Sequence, residues 1–223
     1  MKMMRRSAIS LALILLSTPI ISGQDLSRYR NFSLGTSLAA LSKQVGEDAK
    51  QANLIHQSPA VIQELPYWPL DTSSSSQRAE PVSQLLFSFY NGELYRIVVT
   101  YDQGAVEGLT EEDMVQAISA QYGTGTRLHP ETDFQSNDVY ASPEKVIARW
   151  EDSQNSVNLL RSSMNSFRLA VLSKRLDTQA EAAIAESVKL EKEQAPQKEI
   201  DRQKKVVDDL DLARQKNKRA FRL

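Results

Sequence analysis

The stretch Phe87–Tyr101, FSFYNGELYRIVVTY, decides how this chain is read. Two aromatic-rich runs meet at Asn91-Gly92, and that dipeptide between alternating apolar residues predicts a β-hairpin. A two-residue loop sets Phe87 opposite Arg96. A three-residue loop, Tyr90-Asn91-Gly92 with the glycine left-handed, sets Phe87 opposite Tyr95 and Phe89 opposite Glu93. The longer loop gathers Leu85, Phe87, Tyr95, Ile97, Val99 and Tyr101 on one face and Ser88, Leu94, Arg96 and Thr100 on the other. It separates apolar from polar better and is the register the pattern favours. A sheet face this apolar needs a cover, so it is expected to be core. The opposite face, with Ser88, Arg96 and Thr100, is expected to lie open to solvent or to a partner.

Outward from the hairpin, the sequence punctuates itself. Thr36 or Ser37 caps a helix carrying Leu38, Leu41 and Val45 on one face, and Gly46 stops it. Asn53 to Gln57 and Val61 to Leu65 read as strands, and Asp71 to Gln77 reads as a polar loop. Thr110 and Asp113 form a capping box ahead of Val115, Ile118 and Tyr122, with Gly123 as the stop. Lys145 to Trp150, Ser156 to Arg161 and Phe167 to Ser173 are further strands. The two helices show the same apolar spacing back from their stop glycines, and each precedes a group of strands. The expected fold is α+β: two helices packed on a mainly antiparallel sheet, built as a tandem helix-plus-strands repeat.

The ends of the chain differ from this middle. Lys2, Arg5 and Arg6 precede the apolar run Ala8 to Leu16, Pro19 breaks it, and Ile21-Ser22-Gly23 offers a small-residue cleavage site. Residues 1–23 therefore read as a secretory signal peptide, cleaved after Gly23. Removing them lowers the formal net charge from −1 to −4, which gives no basic surface for nucleic acid. The chain has no cysteine, which excludes a disulfide framework, a thiolate metal site and a lipidated cysteine. Residues 24–176 form the expected globular domain. Residues 177–223 carry ten acidic and eleven basic residues and no glycine, and read as a charged helical tail. Pro196 is expected to break or kink it. Ile200, Val207 and Leu210 fit a heptad seam that Gln203 and Arg214 interrupt. The basic stretch Arg214 to Leu223 is suited to an anionic surface, so membrane contact is expected only there or through an uncleaved leader.

The combination Phe32-x-Leu34-Gly35-x-Ser37, an amphipathic helix, a glycine stop and then Phe-x-Tyr-Asn-Gly-x-Leu resembles small exported bacterial domains. These are the β-lactamase-inhibitor-like domains and the outer-membrane assembly proteins of the SmpA/OmlA type. The resemblance covers residues 32–122. It implies a binding module that displays a curved sheet, not an enzyme.

Chemistry-bearing motifs are scarce. The two histidines, His56 and His129, lie far apart in sequence, and no H-E-x-x-H, G-x-S-x-G or Walker loop accompanies them. Asp102 to Asp113 has the length of a calcium loop, but Gly104 stands where an oxygen ligand belongs. No catalytic, cofactor or metal residue is assigned. ELPYWPL, Glu64 to Leu70, holds Tyr67 and Trp68 between prolines, and exposed aromatics of that kind favour binding. The candidate partner-binding residues are thus Tyr67, Trp68, Ser88, Arg96 and Thr100. The expected function is an exported binding or scaffolding module of the bacterial cell envelope, with another envelope protein as partner. The alternatives are a periplasmic or secreted hydrolase using a serine with His56 or His129, and a structural envelope protein assembling through its tail.

Overall fold

In a computed structural model, residues 24–69, 81–128, 133–134, 144–162 and 166–221 are described. The leader, the loop Asp71–Gln77 and His129 lie outside them. A short ribbon, β1 (Arg28–Tyr29) and β2 (Phe32–Ser33), precedes helix α1 (Leu38–Val45). Four strands follow: β3 (Asn53–His56), β4 (Ile62–Tyr67), β5 (Val82–Tyr90) and β6 (Glu93–Tyr101). Helix α2 (Glu111–Tyr122) then leads to β7 (Thr126–Arg127), β8 (Asp133–Phe134), β9 (Glu144–Glu151), β10 (Asn155–Arg161) and β11 (Phe167–Ser173). Helix α3 (Lys174–Ala220) completes the described chain.

The helix ends are where capping chemistry puts them. Ser37 Oγ accepts from the Ala40 amide, and Gly46 closes α1 in the left-handed conformation at φ 75°. Thr110 and Asp113 form the reciprocal capping box of α2.

Strands β3 to β11 make one nine-stranded antiparallel sheet in the order β3-β4-β5-β6-β11-β10-β9-β7, with β8 also paired to β9. The order displays the repeat. One unit is α1 followed by β3 to β6, the other is α2 followed by β7 to β11. Their last strands, β6 and β11, pair at the centre, Val99 opposite Leu169 and Ile97 opposite Val171. Both helices and the β1-β2 ribbon cover one face, here the inner face. Leu41, Met114, Ile118 and Tyr122 join Leu85, Phe87, Ile97, Val99, Val157 and Val171 in a single buried cluster. Phe32 of the ribbon meets Phe87 edge-on, with ring centres 4.9 Å apart.

The hairpin corrects its expected register. Asn91 (φ 50°) and Gly92 (φ 80°) are both left-handed, so the loop has two residues, with Tyr90 opposite Glu93 and Phe89 opposite Leu94. Paired positive φ values match the twist of the flanking strands, and Asn-Gly tolerates both. A β-bulge then shifts the pairing, so that Ser88 faces Arg96 and Phe87 faces Ile97. Without it, Ile97 and Val99 would turn away from the core. With it, they return to the inner face, while Leu94 and Tyr95 exchange their expected sides. Leu94 joins the inner core, and Tyr95 packs on the outer face.

That outer face is not open. The first four turns of α3 lie on it, with Leu176 and Ala180 packed against Ile62 and Tyr95. The boundary drawn at residue 176 therefore falls inside a docked helix. Beyond, α3 runs on through Pro196 without interruption. The proline lacks an N–H for the Lys192 carbonyl, but this stretch is exposed, so the oxygen is open to solvent.

Candidate functional site

Docking of α3 rests on small side chains flanked by carboxylates. Ala180, Ala183 and Ser187 recur at three- and four-residue spacing and are buried, so the helix backbone approaches the sheet closely. Asp177 and Glu181 sit on the same side, one turn apart. Both reach Arg96, which the bulge has turned outward. Arg96 Nε donates to Asp177 Oδ1 at 2.8 Å, Nη2 donates to the same oxygen, and Nη2 reaches Glu181 Oε1 at 3.4 Å. The Arg96 guanidinium also lies 5.6 Å from the centre of the Tyr95 ring.

Burial of this group has electrostatic consequences. It opposes the charge on Arg96, but Asp177, Tyr95 and Glu181 together more than offset that, and the guanidinium stays firmly protonated. Burial pushes the Asp177 carboxyl above its ordinary value, against the pull of Arg96. Glu181 is raised as well, first by burial and then by the Asp177 charge.

A second latch lies further along. Ser187 Oγ is 2.9 Å from His56 Nδ1, and Glu191 Oε1 is 3.7 Å from the same nitrogen. Serine, histidine and glutamate thus meet, but not as a hydrolytic relay. That relay needs the serine on one ring nitrogen and the carboxylate on the other. Here both address Nδ1, and Ser187 is buried under the helix. The group ties β3 to α3.

Past this latch the helix leaves the sheet, and every residue from 191 to 221 is exposed. Its apolar side chains stay in water: Ile200 is 58% exposed, Val207 57%, Leu210 65% and Phe221 86%.

The inner face holds a cavity of about 260 Å³ between α2 and the β1-β2 ribbon, lined by Tyr29, Arg30, Tyr101, Met114, Ile118 and Tyr122 among others. Burial holds the Tyr101 and Tyr122 hydroxyls protonated well above the ordinary tyrosine value. Tyr122 donates to the Arg28 carbonyl at 2.8 Å. Among the described residues, no group of three or more acidic, histidine or cysteine side chains is placed to hold a metal.

The five residues singled out in the sequence do not converge. Tyr67 is half-buried against the inner core, whereas the adjoining Trp68 is 58% exposed. Ser88, Arg96 and Thr100 are on the outer face, as expected. However, Ser88 and Arg96 are buried there, and Thr100 is half-buried. Ser88 Oγ donates to Glu64 Oε1 at 3.3 Å. At Arg96 the occupant of this face is the chain's own helix. Asp177, Glu181 and Ser187 are not among the residues the sequence singled out for binding. Their signal was present as an Ala/Ser stripe with two acids four residues apart, beside a strand arginine in need of a counter-ion.

No family model and no curated protein matches this chain. Among solved structures it is similar to a cysteine-rich secretory protein from Staphylococcus aureus, with 10% identity and a TM-score of 0.31. The match covers 64% of this chain and 44% of that one, so this chain spans less than half of the matched protein's length. A likeness of that size carries no reading of fold or function. No helix among the described residues is long and apolar enough to cross a membrane.

Proposed function

We propose that this protein is a binding or scaffolding module exported to the bacterial cell envelope, and that its projecting helix is the binding element. The observation that carries the reading is the split along α3. Its first four turns are fixed to the sheet by the Arg96 and His56 contacts, whereas residues 191–221 are exposed with an apolar stripe in water. A helix rigidly rooted at one end and unpartnered at the other is pre-organised for an intermolecular contact, which lowers the ordering cost of binding. The leader-like residues 1–23 and the resemblance of residues 32–122 to exported binding domains support the same reading. The hydrolase alternative draws on the Ser187–His56 contact, but the shared ring nitrogen and the buried serine speak against it.

Envelope fractionation and capture test the proposal. The mature chain should begin at Gln24 and fractionate with the envelope. A Val207→Lys, Leu210→Lys variant should fold normally and lose whatever the full chain holds. A hydrolytic activity that disappears in Ser187→Ala or His56→Ala would overturn it.

A further inference from the structure

Resting on the reading of α3 as the binding element, we propose that its partner is a second copy of this chain, with residues 196–221 of the two helices packed antiparallel.

Four of the exposed apolar residues, Ile200, Val207, Leu210 and Phe221, fall on one stripe, with Val206 beside it and Leu212 on the opposite side of the helix. Pro196, Ile200, Gln203, Val207, Leu210, Arg214, Asn217 and Phe221 occupy alternating three- and four-residue steps, the spacing of a two-helix seam. Read singly, the seam is spoiled by Gln203 and Arg214. Read as an antiparallel pair, it closes on itself. Val207 faces Leu210 of the second copy, and Leu210 faces its Val207, giving an apolar centre. One layer out, Gln203 faces Arg214, an amide oxygen against a guanidinium. Ile200 then faces Asn217, and at each end Pro196 faces Phe221, which covers the most exposed aromatic of the described chain.

The flanks agree with this register. On one side Lys204 lies across from Asp211 of the second copy, and Asp211 from its Lys204, giving two opposite-charge pairs. On the other side Val206, 54% exposed, lies across from Ala213, so that flank is apolar at its centre. A parallel pair would stack Arg214 on Arg214 at the seam, which sets like charges together in a desolvated layer. Charge complementarity thus selects both the occupant and its direction. The seam is about three and a half heptads long, or roughly 38 Å at the helical rise.

Sedimentation equilibrium of the full chain tests this directly. The weight-average mass should double as concentration rises. Lys204→Asp and Asp211→Lys should each weaken self-association by about tenfold, because each turns two attractive pairs repulsive. Mixing the two variants should restore a heterodimer, because every cross-pair becomes attractive again. The chain is free of cysteine, so orientation can be read by cross-linking. Gln203→Cys mixed with Arg214→Cys should give the mixed disulfide in preference to either homodimer. A full chain that stays monomeric at all concentrations overturns the proposal, as does a preference for 203–203 cross-links. Binding to anionic vesicles without self-association overturns it too. A monomer would leave the module reading standing, because capture of a foreign envelope protein tests that reading separately.

Discussion

Arg96 in the central strand β6 and Asp177 in the first turn of α3 are bonded across 81 residues of chain, Nε to Oδ1 at 2.8 Å. Their side chains are 4% and 14% exposed. Taking two charges out of water is costly, so such a pair is worth little over well-packed apolar residues, yet breaking it strands one charge. Arg96→Ala should therefore destabilise the fold by about 3–5 kcal/mol. This replaces the sequence-based expectation of a silent surface arginine. The double variant Arg96→Met, Asp177→Leu should recover most of the loss. Urea melts of Arg96→Met, Asp177→Leu and the double variant, combined as a cycle, measure the coupling.

Phe87 is fully buried and abuts Phe32 of the β1-β2 ribbon. Phe87→Ala should cost about 3–5 kcal/mol, the usual range for deleting a buried aromatic. Phe32→Ala should cost less at a site that is slightly more open, and the two should couple because they share a contact. Denaturation midpoints at constant slope are the check.

Protease sensitivity should divide α3 at its undocking point. Brief trypsin treatment should cut first between residues 191 and 221, where every lysine and arginine is exposed, and leave a core with an unchanged melting temperature. A chain ending at residue 190 should melt like the full one. A chain ending at residue 176 lacks Asp177 and Glu181, and should lose stability on the same scale as Arg96→Ala.

Alkaline pH should unfold the inner face. Burial raises the values of Tyr101 and Tyr122 in the folded chain above the unfolded value of about 10. The folded state therefore holds these two protons more tightly than the unfolded state. The stability they contribute is complete below pH ~10 and is lost as pH rises through the folded values. Ultraviolet absorbance should show both hydroxyls ionising only together with unfolding. Tyr122→Phe should remove part of this dependence and cost about 1–2 kcal/mol at neutral pH, because the Arg28 carbonyl loses its donor.

Local chemistry sets the elements, and the sequence by itself determined them. Ser37 and Gly46 bound α1, Thr110 and Asp113 open α2, and Asn91-Gly92 turns the hairpin, because caps and turns depend on side chains within a few residues. The matching apolar spacings of the two helices also made the repeat legible before any strand was paired.

Tertiary structure decided what faces what. The bulge at Tyr95 is invisible in a period-two pattern, since one extra residue leaves Ile97 and Val99 on the expected face while exchanging Leu94 with Tyr95. Arg96 and Ser88 look like surface residues by composition and spacing. Both are buried, and Arg96 is so because α3 returns to the outer face and supplies Asp177 and Glu181. Nothing within a few residues of Arg96 encodes that carboxylate pair. Their meeting depends on the whole sheet being assembled first, and the helix that reads as a detached tail is rooted in the fold for the same reason.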